Sequence, residues 1–136
     1  MKSASSILSL AIIAGLSQSA YAADVKAANA SKGEILVLLS SENVMQLADG
    51  KTEPTGYYLN EFGVPAKALV DAGYKLVLAT PKGNAPSVDK KSVIPQYFDG
   101  GESQMRDIQT FVASIEGIDD TLSLSEVIGQ GLKEFE

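Results

Sequence analysis

The sequence predicts an α/β fold built on a parallel sheet. Three observations carry this reading. Residues 34 to 40 form a short, continuous apolar run with β-branched content, residues 60 to 72 carry helical spacing closed by Gly73, and residues 74 to 80 form a second β-rich run. Strand, helix and strand in that order make a βαβ unit, whose crossover is right-handed and whose strands lie parallel.

Each element has its own signal. The first run, Glu34-Ile35-Leu36-Val37-Leu38-Leu39-Ser40, reads as a strand buried on both faces. The loop from Ser41 to Thr55 follows, with Asp49-Gly50 as its clearest turn. In the helix, Phe62, Val64, Ala66, Leu69 and Val70 supply the apolar face, Asn60 is the expected N-cap, and Gly73 stands where a left-handed C-cap belongs. Pro65 is expected close enough to the first turn to be tolerated. Residues 84 to 101 read as a long loop with Pro86, Pro95 and the apolar group Val93, Ile94, Tyr97 and Phe98, as loops that are functional or cover another element often do. A second helix is expected from about Glu102 to Ile115, with Met105, Ile108, Phe111, Val112 and Ile115 on one face. Ser123-Leu124-Ser125-Glu126 matches a capping box ahead of a short third helix.

The 136 residues fit one domain behind a leader. Lys2, the apolar run from Ile7 to Leu16 and Ala20-Tyr21-Ala22 together predict a secretory signal over residues 1–22, cleaved after Ala22. The apolar run is too short for a membrane anchor, which needs about 20 residues. Residues 23–33 read as a flexible lead-in and residues 34–136 as the domain. The expected address is therefore periplasmic or secreted, with no membrane attachment after cleavage.

Charge narrows the function classes. Seventeen acids face eleven bases, for a net charge of -6, and removal of Lys2 with the leader makes the balance more negative. Only Lys90-Lys91 are adjacent bases, so no stripe exists to follow a phosphate backbone, and nucleic acid is excluded as a partner. The sequence contains no cysteine and no histidine. Disulfides, thiolate or imidazole metal ligands and a serine–histidine or cysteine–histidine nucleophile are thereby excluded from these residues. Neither a metal nor a cofactor is expected.

Two parallel strands leave both outer edges of a sheet unpaired, so something must pair with them. A third strand is expected beyond the short helix near Ser125, where the sequence ends. The fold expected is thus a partial flavodoxin-like three-layer α/β/α sandwich lacking its later strands, completed by a missing continuation or by association.

Several spaced elements then agree with one family. The first strand from Ile35 to Ser41, Asp49-Gly50-Lys51, Thr55-Gly56-Tyr57-Tyr58-Leu59-Asn60-Glu61, Pro65, Asp71-Ala72-Gly73-Tyr74 and Ala79-Thr80-Pro81-Lys82-Gly83 resemble the amino-terminal half of the ThiJ/PfpI superfamily, which has the class I glutamine amidotransferase-like fold. Residues 34–136 are covered, and the likeness is greatest to the chaperone and glyoxalase III branch. The resemblance implies a nucleophilic cysteine on a strand-to-helix elbow, a neighbouring histidine, and a glutamate from the first helix that hydrogen-bonds the thiol. Glu61 falls on that glutamate position. The cysteine and histidine would lie after residue 136. Intact relatives would act on small carbonyl compounds or amides, or serve as chaperones, and often dimerise. The chain itself is expected to be a truncated, catalytically inert member. The rival expectation is a non-catalytic binding or assembly module completed by another copy or a partner chain.

Read without the resemblance, Glu61 is simply an acid favoured in a first helical turn by the macrodipole. Ser40 and Ser41 sit where ligands collect in such sheets, but lack a base to activate them. Tyr57 and Tyr58 either line a pocket beside Glu61 or pack. Asp119-Asp120 and Glu134 with Glu136 have no calcium-loop spacing and read as solvated surface.

Overall fold

The computed structural model describes residues 31–130. The expected signal, the lead-in up to residue 30, and residues 131–136 with Glu134 and Glu136 lie outside the described residues. At the end of the expected lead-in, the Lys32 amide donates to Gly73 O at 2.9 Å.

The chain builds two sheets. Strand β1 (Glu34–Leu38) pairs in parallel with β4 (Lys75–Thr80), which pairs in parallel with β5 (Leu122–Ser123), giving the order β1-β4-β5. Strands β2 (Val44–Gln46) and β3 (Thr52–Pro54) form a separate antiparallel hairpin. Helix α1 (Leu59–Asp71) makes the crossover between β1 and β4, α2 (Gly101–Ala113) follows the long loop, and α3 (Leu124–Gln130) follows β5 directly. Parallel strands joined through helices give the α/β character of a partial flavodoxin-like fold.

Leu59, Phe62 and Ala66 of α1, Leu76 and Leu78 of β4, Ile108 and Val112 of α2, and Phe98 of the loop form one buried cluster, with Ile35, Val37 and Leu39 packed against it. Strand alternation sends Val77 and Ala79 to the opposite face of β4. There Ala79 is fully buried and α3 contacts the strand, its Val127 also fully buried. Helices α1 and α2 approach closely because Gly63 carries no side chain. A Cβ there would overlap the Ile108 Cγ2 methyl.

The first strand departs from its expected burial on both faces. Its residues are half-buried and Leu38 is 53% exposed, because among the described residues β1 is an edge of the sheet and not its middle. The third strand of the sheet also stands elsewhere than expected: β5 precedes the short helix. Its two residues carry too little pattern to signal a strand. The hairpin was hidden within the expected loop because β2 and β3 are short and mostly exposed. Its turn uses the Asp49-Gly50 signal: Asp49 Oδ1 accepts the Lys51 amide at 3.1 Å and Gly50 adopts φ +79°. Asp49 also pairs with the Lys51 ammonium, which holds its carboxyl below the usual range.

Helix α1 corrects two readings. Its N-cap is Tyr58, not Asn60, and Tyr58 makes no side-chain capping bond. Asn60 lies inside the first turn with Oδ1 buried and unpartnered. Pro65 is inside the helix, past the first turn. Since proline has no N–H, the Glu61 carbonyl receives no i+4 backbone bond. The C-terminus follows the expected signal. Gly73 at φ +95° donates to Val70 O, and the Tyr74 amide donates to Leu69 O at 3.1 Å, a Schellman arrangement.

The long loop contains two 3-10 turns, Lys90–Ser92 and Pro95–Tyr97. Of its apolar group only Phe98 enters the core, while Ile94 and Tyr97 stay exposed. The capping box forms as expected: the Ser123 amide donates to Glu126 Oε2 at 2.7 Å, and the Glu126 amide donates to Ser123 Oγ at 3.2 Å.

Candidate functional site

The segment from Gly56 to Glu61 is positioned by backbone contacts that its sequence makes possible. Tyr57 pairs with the long loop, its amide donating to Ser87 O and its carbonyl accepting from the Asp89 amide, each at 2.9 Å. Gly56 must be glycine for this approach, since a Cβ would fall within the Ser87 peptide. The loop then returns a side chain to the helix: Ser92 Oγ accepts the Leu59 amide at 2.9 Å. Ser92 is fully buried, and its hydroxyl donates to Asp89 O at 2.6 Å. Asp89 caps its own turn by accepting the Lys91 amide at 2.8 Å.

These constraints open a groove of about 470 Å³ between the C-terminal part of β1 and α1. Val37 and Leu39 form one wall, Phe62, Ala66 and Leu69 the other, and Glu61 lies at the groove with Gly56, Tyr57 and Tyr58. Glu61 is exposed, in the first turn of α1, and takes part in none of the ion pairs among the described residues. Tyr57 packs edge-on against Phe62 at 5.0 Å between ring centroids, and burial raises its phenol pKa above the ordinary value. Tyr58 lies 5.9 Å from the Tyr97 ring. Both tyrosines thus line the groove and pack at once.

The chemistry available is an exposed carboxylate beside an apolar wall. Carboxylate and phenol can accept or donate a proton, but neither is a nucleophile poised by a base.

The serines are occupied by structural bonds. Ser41 is buried, with Oγ accepting the Lys82 amide at 2.9 Å and its carbonyl accepting Asn84 Nδ2 at 3.1 Å. Ser40 Oγ accepts the Glu42 amide at 3.1 Å. Neither lines the groove beside Glu61. Asp119 lines a different cavity of about 290 Å³ between the long loop and α2, and it and Asp120 are exposed. Among the described residues no cluster of three or more histidine, cysteine, aspartate or glutamate side chains could hold a metal. No helix among them is long and apolar enough to cross a membrane.

Sequence reasoning missed a buried polar cluster between Thr80, at the carboxyl end of β4, and Thr121, the residue just before β5. The Thr80 and Thr121 hydroxyls lie 3.1 Å apart, and both reach Asn84 O, at 3.0 and 2.9 Å. Thr80 is fully buried and Thr121 nearly so. Together with Asn84 and Ser41 they fasten the Pro81-Lys82-Gly83 turn to both strand ends. Only the pairing of β4 with β5 brings Thr80 and Thr121 together, so no local pattern announces them.

No protein-family model matches the chain, and no curated protein matches it either. Among solved structures it is similar to glyoxalase III from Candida albicans, at 28% identity over 63% of this chain and 33% of that one, with a TM-score of 0.46. The chain therefore spans about a third of that protein's length.

Proposed function

We propose that this chain is a distant relative of the ThiJ/PfpI superfamily, corresponding to its amino-terminal part, in which Glu61 is the acidic helper of a thiol that these residues do not contain. The observation that carries this reading is the placement of Glu61 in the first turn of α1, at a groove walled by the C-terminal part of β1. A carboxylate in that position could hydrogen-bond a thiol brought to the groove by another segment. With neither cysteine nor histidine in the sequence, the chain by itself has no thiol nucleophile and no imidazole base. It is an exported protein, inert toward the small carbonyl compounds that relatives of the glyoxalase III branch would convert.

The test is incubation of the purified, signal-free protein with methylglyoxal. The expected result is no lactate above a Glu61→Gln control. Conversion that the wild type performs and the variant does not would overturn the inert reading. Reading the DNA past the codon for Glu136 tests the relationship: a continuation encoding a strand, a glycine-rich turn and a cysteine elbow supports it.

A second reading is favoured by a specific observation. Among the described residues the sheet order leaves β1 at an edge, beside the same groove, which suits a non-catalytic assembly module completed by a partner.

A further inference from the structure

We propose that the outer edge of β1 and the groove beside α1 together receive an extended peptide strand from a partner protein, with apolar side chains at alternate positions and a basic side chain placed at Glu61. The proposal rests on the assembly-module reading and specifies the partner's chemistry.

The backbone argument comes from the ladder. The Lys75 amide donates to Gly33 O and the Leu39 amide to Ala79 O, so the odd-numbered residues of this strand direct their N–H and C=O groups toward β4. Glu34, Leu36 and Leu38 therefore direct theirs to the outer side. No backbone group among the described residues bonds there. This edge also lacks the usual protections. From Ile35 to Leu39 it carries no proline, no lysine and no bulge, and its one terminal charge, Glu34, is paired with Lys75 at 3.3 Å.

The side-chain argument comes from the face. Val37 and Leu39 point to the α1 side of the sheet and form the groove's wall. A strand added to β1 would continue that alternation. Every second side chain would enter the groove against Phe62 and Leu69, while its backbone met the outward groups of Leu36 and Leu38. The groove's one carboxylate is Glu61, with no cation lining it. Charge complementarity thus selects a lysine or arginine on the incoming strand. It also argues against a second copy as occupant, because each copy carries a net charge of -6.

The test uses the purified protein and a fluorescent peptide alternating valine and threonine with one central lysine, read by anisotropy. Expected is saturable binding, weakened about tenfold or more when the peptide's alternate amides are N-methylated, since two lost hydrogen bonds remove about that much. Glu61→Lys should weaken this peptide about threefold and favour a glutamate-bearing version by a similar factor. Leu36→Pro removes an outward donor and leaves the ladder to β4 intact. It should abolish binding while the circular dichroism spectrum is retained. Hydrogen exchange of the free protein separates the two levels of the claim. Protected Leu36 and Leu38 amides in the free monomer would show the edge already covered and end the module reading, whereas a dimer by sedimentation that Leu36→Pro dissolves would show a second copy as the occupant and end the peptide proposal. Freely exchanging amides with no peptide binding, or binding indifferent to N-methylation and to the charge at 61, would end the peptide proposal alone.

Discussion

Ser92 Oγ accepts the Leu59 amide at 2.9 Å, so α1 is capped by a residue 33 positions further along the chain. Tyr58, the residue at the N-cap, supplies no side-chain bond of its own. The long loop thereby holds the start of α1, and the turn that carries Glu61 is fastened by a hydroxyl remote from it in sequence.

Replacement of Ser92 by alanine should destabilise the protein by about 1 to 2 kcal/mol, because it removes the cap and leaves a buried amide unsatisfied. Denaturant unfolding monitored by circular dichroism measures it. An unchanged midpoint would show that the cap contributes nothing.

Gly63→Ala tests whether the close approach of α1 and α2 outweighs helix propensity. Alanine is favoured over glycine in a helix by about 1 kcal/mol, but the new Cβ meets Ile108 Cγ2. A net loss of about 1 to 3 kcal/mol is expected from overpacking. Ile108→Ala removes that methyl, so the double variant should be more stable than the two single losses predict, by about 1 kcal/mol. Strict additivity would contradict the contact.

The capping box of α3 carries a pH dependence. The Ser123 amide donates to the Glu126 carboxylate and holds its pKa below the ordinary glutamate value. A pKa depressed in the folded state contributes stability above the unfolded pKa and loses it as pH falls through the folded one. The protection of the Ser123 amide, the ratio of its intrinsic to its observed exchange rate, should therefore fall as the solution is acidified through that window. In Glu126→Gln its exchange, corrected for intrinsic rates, should be insensitive to pH there.

Tyr57 should ionise later than an exposed tyrosine, since burial favours its neutral form. Here the sign is opposite: the stability linked to Tyr57 is complete below the unfolded tyrosine pKa and is lost as pH rises through the raised folded value. An ultraviolet phenolate titration should show a late component that Tyr57→Phe removes. If the variant's curve keeps that component, the late group is another tyrosine.

The sequence by itself determined the elements whose causes are local. The βαβ order follows from two short apolar, β-rich runs flanking a stretch of helical spacing, the end of α1 from Gly73, and the start of α3 from Ser123 and Glu126, because each signal acts within a few residues of the structure it produces. Only the tertiary structure decided which apolar residues of α1 face inward: Leu59 and Gly63 pack inside while Val64 and Val70 are exposed. It also decided that β1 is an edge, that β5 precedes the last helix, and that Ser92, Thr80 and Thr121 carry buried hydrogen bonds. Those outcomes depend on partners brought together from distant positions, where a two-residue strand or a single hydroxyl leaves no periodic trace. Glu61 belongs to both levels, since its place in the first helical turn is local while the groove beside it exists only once β1 and α1 are packed.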